Sequence, residues 1–262
     1  MTFPFQNNIL KEISLRYSCE ADTYLLKRPF LKTYVGRRIV KIFTLVLMLY
    51  ARNRDSIKII NVACGPATHE QIVFPLLEKL RKINYYWISL DISLEMVKKV
   101  KNLASSRTDC IVADAQHLPF RENAFDLIIV SRAIKFIHPM KCFLGLHKLM
   151  KKLALLILVV DVADALWCRL LEKIGLPVDP AIYNNMRTFH NSQILKKLES
   201  AGLKVLMSVP ITSLPLSLFK YKLFRNVMEY SSFFRRFDSN RIIGLRIILY
   251  ICRKSQIIRL DD

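Results

Sequence analysis

The residues best suited to chemistry stand where short apolar runs end. A first run, rich in Ile and Val, leads into the small-residue turn 63–67, and the next two runs end in Asp91 and Asp114. Small residues let the backbone approach a ligand closely. A carboxylate at a strand end can accept hydrogen bonds from both hydroxyls of a ribose. The pattern predicts a cleft for a nucleotide-like cofactor at one edge of a sheet.

Alternating elements must bring these residues together. Between residues 56 and 162, apolar runs alternate with helical patterns, which is typical of parallel strands joined by crossover helices. Residues 1–50 read as helical, and 204–209 and 241–251 as later strands. A helix is predicted over 193–200, capped by residues 191–192 and ended by the glycine at 202.

Four motifs in order resemble those of class I S-adenosylmethionine-dependent methyltransferases of type 11, the group that includes ubiquinone and menaquinone methyltransferases. They occupy residues 61–68, 90–96, 113–120 and 124–131. The resemblance implies an α/β fold: a Rossmann-like sheet of seven strands with helices on both faces, closed by an antiparallel strand. It also implies S-adenosyl-L-methionine as the cofactor.

The resemblance further implies an N-terminal helical lid or extension at 1–55, followed by the methyltransferase domain at 56–262. Within that domain, the basic aromatic segment 217–237 would form a lid insertion. Its aromatic residues would pack inward over the cleft, face lipid, or stack on nucleic-acid bases.

The expected cofactor contacts come from all four motifs. By resemblance, Asp91 would hold the ribose, Asp114 would accept from the adenine amine, and Ser131 would face the methionine amino group or the methyl group. Both aspartates could instead serve as helix caps or turn residues. The full expected set is Asn61, Ala63, Cys64, Gly65, Asp91, Ile92, Met96, Asp114, Ala115, Gln116 and Ser131.

The glycine motif departs from the family pattern at three positions. Asn61 stands where the family usually has an acid, and Ala63 and Ala67 stand where it usually has glycine. Alanine is tolerated there if its φ angle is negative and strained if that angle is positive. The cost of the two alanines therefore depends on their backbone conformation.

Methyl transfer from a sulfonium is an in-line displacement that needs alignment more than a nucleophilic side chain. His138, just beyond the fourth strand, is the candidate general base for a phenol or enol acceptor. Arg132 could contact an acidic substrate or form a surface ion pair. The five histidines and six cysteines show no metal-ligand spacing, so no metal site is expected.

The chain is strongly basic, with 41 Lys and Arg against 21 Asp and Glu and a net charge of +20. That excess would attract RNA or an anionic membrane surface, or it is compositional and spread over solvated faces. The scattered cysteines and the lack of an apolar N-terminal leader favour a cytoplasmic location, peripheral to the membrane if the basic surface binds lipid.

These features together predict methyl transfer to a small-molecule or lipid-like acceptor. Two alternatives are an RNA methyltransferase and a non-catalytic partner protein with the same fold. Residues 131–134 lack the Asn/Asp-Pro-Pro-Tyr/Phe motif of amino-group methyltransferases, which argues against adenine or cytosine amino groups as acceptors. The turn also lacks the GxGxxG spacing of a nicotinamide dehydrogenase. The acceptor and the oligomeric state stay open.

Overall fold

A computed structural model of the chain describes residues 4–24, 34–79, 84–174, 189–212 and 246–255, together with Tyr221 and Asn226. Within these residues, seven strands form one sheet in the order β3-β2-β1-β4-β5-β7-β6. The strands are β1 (Ser56–Val62), β2 (Asn84–Asp91), β3 (Thr108–Val112), β4 (Phe125–Ser131), β5 (Met150–Asp161), β6 (Leu203–Thr212) and β7 (Ile247–Lys254). Strands β1 to β5 pair in parallel, and β7 is antiparallel to both neighbours. The predicted Rossmann-like sheet of seven strands is confirmed.

Helices cover both faces of this sheet. They are α1 (Pro4–Glu20), α2 (Tyr34–Ala51), α3 (Glu70–Lys79), α4 (Leu94–Lys101), α5 (Pro139–Leu149), α6 (Leu166–Lys173) and α7 (Asn191–Ser200). In β1, Ile57 and Ile59 join the apolar cluster under α2 and α3, whereas Ile60 and Val62 join the cluster under α5 and α7. Burial on both faces explains why the parallel strands read as continuous apolar runs.

Helix α1 lies against the end of β2. Ser14 Oγ donates to the Ile92 carbonyl oxygen at 3.0 Å, and the hydroxyls of Ser18 and Ser93 lie 2.9 Å apart. Ser93 is also the N-cap of α4, since its side chain accepts from the Met96 amide. The N-terminal helix is therefore fixed at the edge where the predicted cofactor residues end.

The start of α7 and the segment 217–237 bear on two expectations from the sequence. The predicted cap at residues 191–192 was wrong: His190 is the N-cap, and α7 already begins at Asn191. The backbone amide of His190 donates to Gln193 Oε1 at 2.9 Å, which fixes this start. The basic aromatic segment 217–237 lies outside the described residues except for Tyr221 and Asn226. Of the helices in the described ranges, none has the length and apolarity to cross a bilayer.

Candidate functional site

A cleft opens at the carboxyl edge of the parallel strands and contains about 670 Å3 of empty space, partly continuous with solvent. Eight of the eleven expected cofactor residues line it: Ala63, Gly65, Asp91, Ile92, Met96, Asp114, Ala115 and Ser131. They come from the ends of β1, β2, β3 and β4 and from the start of α4.

The turn after β1 has a left-handed backbone at alternate residues. The φ angles are +54° at Ala63, +59° at Gly65 and +61° at Ala67. Both alanines therefore have the positive φ angle that makes alanine costly. At Gly65, an added Cβ would meet no atom within 4 Å, so the space beside this glycine is open cleft.

The carboxylate of Asp91 is bound to this turn. Asp91 Oδ2 accepts from the Gly65 amide at 2.9 Å, and Oδ1 accepts from the Ser93 amide at 2.9 Å. Burial raises the pKa of Asp91, and the hydrogen bonds from the backbone amides of Ser93, Gly65 and Ile92 partly offset that rise. Each carboxylate oxygen keeps a second lone pair, so the group can still accept from the hydroxyls of a ligand.

A chain of hydrogen bonds follows the adjacent strand β3. Asp114 Oδ1 accepts from the Gln116 amide at 2.9 Å, and Gln116 Oε1 accepts from the His138 amide at 3.0 Å. His138 is the N-cap of α5, and its Nδ1 accepts from the Lys141 amide at 3.4 Å. Neither Gln116 nor His138 is among the residues that line the cleft. Capping gives a structural reason for a histidine at position 138.

Two other expected residues also lie behind the cleft. Asn61 is fully buried, and its Nδ2 donates to Glu70 Oε1 at 2.7 Å. Cys64 packs with Ala67 and Val100, and burial raises the pKa of its thiol well above the ordinary value. Asn61 lies near the end of β1 and Cys64 in the turn, and packing directs both side chains away from the cleft.

Charged residues collect beside the cleft, where β4 and β5 end. Asp161 is 6% exposed and lies 3.1 Å from Arg132 Nε and 3.0 Å from Lys135 Nζ. Burial alone would raise the pKa of Asp161, but Arg132, Lys135 and the buried Arg246 hold it well below its usual range. Arg132 also lines the cleft and has a φ angle of +59°.

Aromatic side chains close the cleft from the side of α1. Tyr17 packs edge-on to Phe136 with 5.5 Å between ring centres, and Tyr24 lies 6.0 Å from Tyr17. All three rings line the cleft. None of these three rings was predicted from the sequence as part of the site. The available signals were the position of Tyr17 in the N-terminal helical stretch and that of Phe136 just after β4.

This arrangement fits an adenosyl cofactor. The open space at Gly65 admits a ligand against the backbone, Asp91 offers acceptors for a ribose, and Asp114, just after the next strand β3, offers one for a base. Strands β1, β2 and β3 lie side by side in the sheet. Their ends therefore follow one another along the cleft, as the methionine, ribose and base follow one another along the cofactor.

Comparisons with known proteins agree with this geometry. Residues 61–158 match the family described as "Methyltransferase domain". An uncharacterised protein of Methanocaldococcus jannaschii, MJ0638, is 26% identical over 203 residues, covering 76% of this chain and 79% of that protein.

Two solved structures extend the likeness of the fold. A methyltransferase in complex with the Haloferax volcanii Trm112 methyltransferase activator has a TM-score of 0.61 at 14% identity, covering 91% of this chain and 97% of that one. Geranyl diphosphate C-methyltransferase from Streptomyces coelicolor A3(2), in complex with S-adenosyl-L-homocysteine, has a TM-score of 0.56 at 10% identity, covering 84% and 80%. The matched residues contain the turn, Asp91 and Asp114, so the chain matches a methyltransferase domain over these residues and shares the fold of both methyltransferase structures.

Proposed function

We propose that the protein transfers the methyl group of S-adenosylmethionine to a small-molecule or lipid-like acceptor that binds under α1. One observation carries this proposal: a single cleft is lined by both the cofactor residues and the three aromatic rings of Tyr17, Tyr24 and Phe136. Rings that cover the reacting end of a cofactor exclude water and offer an apolar surface to an acceptor.

Each part of the cleft has a role in this proposal. S-adenosylmethionine supplies a methyl group that is already activated by the sulfonium charge. The backbone of the turn at Gly65 holds the methionine part, Asp91 holds the ribose, and Ser131 faces the transferred methyl group. Alignment of donor and acceptor is the main contribution of the protein to such a displacement. We assign His138 the role of helix cap rather than general base, because its Nδ1 accepts from the Lys141 amide.

The domain roles follow from the same positions. We propose residues 1–55 as an extension whose helix α1 acts as the roof, and 56–262 as the catalytic domain. The placement of Ser14 and Ser18 against Ile92 and Ser93 supports the roof. We propose a cytoplasmic location, with attachment to an anionic membrane surface if the acceptor is a lipid; the charge of +20 supports that attachment.

A macromolecular acceptor is the second candidate. The net charge favours RNA, and the Haloferax neighbour was solved with a methyltransferase activator, which suggests catalysis in a heterodimer. A non-catalytic partner protein is the third candidate, favoured by the strained alanines of the turn. The three candidates predict different fates for a labelled methyl group: transfer to a small molecule, transfer to a macromolecule, or no transfer.

A labelling experiment separates them. Purified protein is incubated with methyl-labelled S-adenosylmethionine and an extract of the cells that produce it, and the products are separated into organic-soluble, small water-soluble, RNA and protein fractions. We expect label in one of the two small-molecule fractions. Label in an RNase-sensitive fraction would support the second candidate, and no transfer above the Asp91→Ala variant would support the third.

A further inference from the structure

The charged group around Asp161 lies over a different part of the sheet from Asp91, Asp114 and the turn at Gly65. Asp161 is the last residue of β5, Arg132 follows β4 directly, and Arg246 directly precedes β7. Because β7 is antiparallel and Ile247 pairs with Asp161, the start of β7 lies at the same edge as the ends of β4 and β5. The turn at Gly65, Asp91 and Asp114 follow β1, β2 and β3, so this group occupies the other half of that edge and adjoins Ser131 at the end of β4.

The cations in this group are largely shielded from solvent. The side chains of Arg132 and Lys135 are only 13% and 11% exposed, and Arg246 is 3% exposed. Among the described residues, three cations thus surround one buried carboxylate. Charges held away from water interact more strongly with an arriving ion than charges on an open surface do.

A second ion-paired carboxylate, at the other ends of strands β4 and β5, provides a contrast. Asp126, at the opposite edge, lies 2.6 Å from Lys151 Nζ and 4.0 Å from an Arg54 nitrogen. The side chains of Lys151 and Arg54 are 41% and 31% exposed, so solvent screens them. A buried carboxylate can therefore be paired by partly exposed cations, so pairing alone does not explain why Arg132 and Lys135 are largely shielded from solvent beside Asp161.

Backbone strain also marks the residue that reaches the cleft. Arg132 has a φ angle of +59°, and its amide donates to the Val159 carbonyl oxygen at 2.8 Å. A bulky residue in this conformation costs free energy and persists where its surroundings impose it, often at a functional site. The strain at Arg132 coincides with a position that lines the cleft next to Ser131.

We propose that Arg132, which lines the cleft, and Lys135, which pairs with the same carboxylate beside it, form an anion subsite that binds a carboxylate or phosphate group of the methyl acceptor. Asp161 positions both cations. The neighbouring ring of Phe136, whose centre lies 5.3 Å from Lys135 Nζ, contacts the apolar body of the same molecule. The inference rests on the proposed function, because the subsite selects the acceptor of that reaction. The acceptor class is therefore an amphiphilic anion.

The test uses small probes and the full chain saturated with S-adenosylhomocysteine. Phenyl phosphate, benzoate and neutral phenol are titrated by calorimetry. We expect phenyl phosphate or benzoate to bind at least tenfold more tightly than phenol; a preference for phenyl phosphate assigns a phosphate acceptor, and one for benzoate assigns a carboxylate acceptor. Anion binding no tighter than phenol binding, or no binding of any probe, would overturn the inference.

Variants locate the subsite. Lys135→Met keeps the aliphatic stem and removes the charge, and Arg132→Asn places a residue that tolerates a positive φ angle. We expect each to weaken the preferred anion at least tenfold while S-adenosylhomocysteine affinity stays within twofold. Lys151→Met removes the same charge at the opposite edge and should change neither affinity. Unchanged anion binding in both site variants would overturn the assignment, whereas failure of the wild type to bind S-adenosylhomocysteine would instead contradict the proposed function.

Discussion

Asp91 and Asp161 each close a parallel strand at the same edge of the sheet, and both are buried, at 8% and 6% exposure. Their surroundings differ. Asp91 is held by the backbone amides of Gly65 and Ser93, and burial raises its pKa. Asp161 is held by Arg132, Lys135 and Arg246, which lower its pKa despite burial.

The difference indicates two uses of a buried carboxylate. At the Asp91 corner, formed by Asp91 with the backbone amides of Gly65 and Ser93, the carboxylate itself is the functional group. The neutral amides leave its lone pairs able to accept from a ligand. At the Asp161 corner, formed by Asp161 with Arg132, Lys135 and Arg246, the negative charge stabilises the cations. We propose that the ligand binds to Arg132 and Lys135. The first corner should therefore control cofactor affinity, and the second should control stability and acceptor choice.

The largest effect should follow removal of the charge at Asp161. Asp161→Asn leaves buried cations without their carboxylate, and breaking such a group costs about 3–5 kcal/mol. Denaturant unfolding near neutral pH would measure the loss. The matched variant Asp126→Asn should lose less, about 1–3 kcal/mol, because the cations there are partly solvated. An equal or larger loss for Asp126→Asn would remove the distinction between the two edges.

A methyl group at Gly65 should weaken cofactor binding more than folding. In Gly65→Ala the new Cβ enters the open cleft, and we expect S-adenosylhomocysteine to bind about 1–3 kcal/mol more weakly, as for an overpacked contact. The backbone strain would equal that already present at Ala63. Gly145→Ala is the control, because its Cβ meets only Leu118 Cδ1 at an ordinary 3.7 Å. Equal cofactor affinity in both variants would show that the turn does not contact the cofactor.

Acid should weaken cofactor binding through Asp91. The ribose hydroxyls donate to the ionised carboxylate, so affinity is full above the pKa of Asp91 in the free protein and falls as pH drops through it. That pKa lies above the ordinary 3.8. Below it, we expect about a tenfold loss of affinity for each pH unit. Calorimetry from neutral to acid pH measures the slope, and the slope should vanish in Asp91→Asn. A slope that persists in this variant would assign the titration to another group.

The smallest effect concerns the alanines of the turn. Ala63→Gly relieves a left-handed alanine, worth about 1–2 kcal/mol, against a glycine entropy cost of about 0.5–1 kcal/mol. We expect a net gain of about 0.5–1 kcal/mol in unfolding free energy. Ala67 is fully buried, so Ala67→Gly also loses methyl burial of about 0.8 kcal/mol and should change stability little. A loss of stability in Ala63→Gly would contradict the claim that the left-handed backbone at Ala63 is strained.

The sequence predicted the Asp91 corner because its parts are local. The turn and Asp91 belong to motifs of a few residues, and the alternation of apolar runs places both at one edge. The directions of the Asn61 and Cys64 side chains were not predicted, because they depend on packing with Glu70 and Val100. The positive φ angle at Ala63 likewise became known only from the folded backbone.

The Asp161 corner could not be predicted in the same way. Its residues are up to 114 positions apart, from 132 to 246, and only the insertion of antiparallel β7 next to β5 brings them together. In the sequence, Asp161 is merely the acid that ends an apolar run, and Arg132 suggested either a substrate contact or a surface ion pair. The structure shows that Arg132 lines the cleft and forms an ion pair with the buried Asp161.

The most direct test of the cofactor site is calorimetric titration of S-adenosylhomocysteine into wild-type protein and Asp91→Ala. Asp109→Ala is the control, since it removes an exposed carboxylate from the neighbouring strand β3. We expect one site per chain in the wild type, unchanged affinity in Asp109→Ala, and a loss of about 1.5–3 kcal/mol in Asp91→Ala, as for removal of a charged hydrogen-bonding partner. Wild-type affinity in Asp91→Ala, or no binding to the wild type, would contradict the assignment of this cleft.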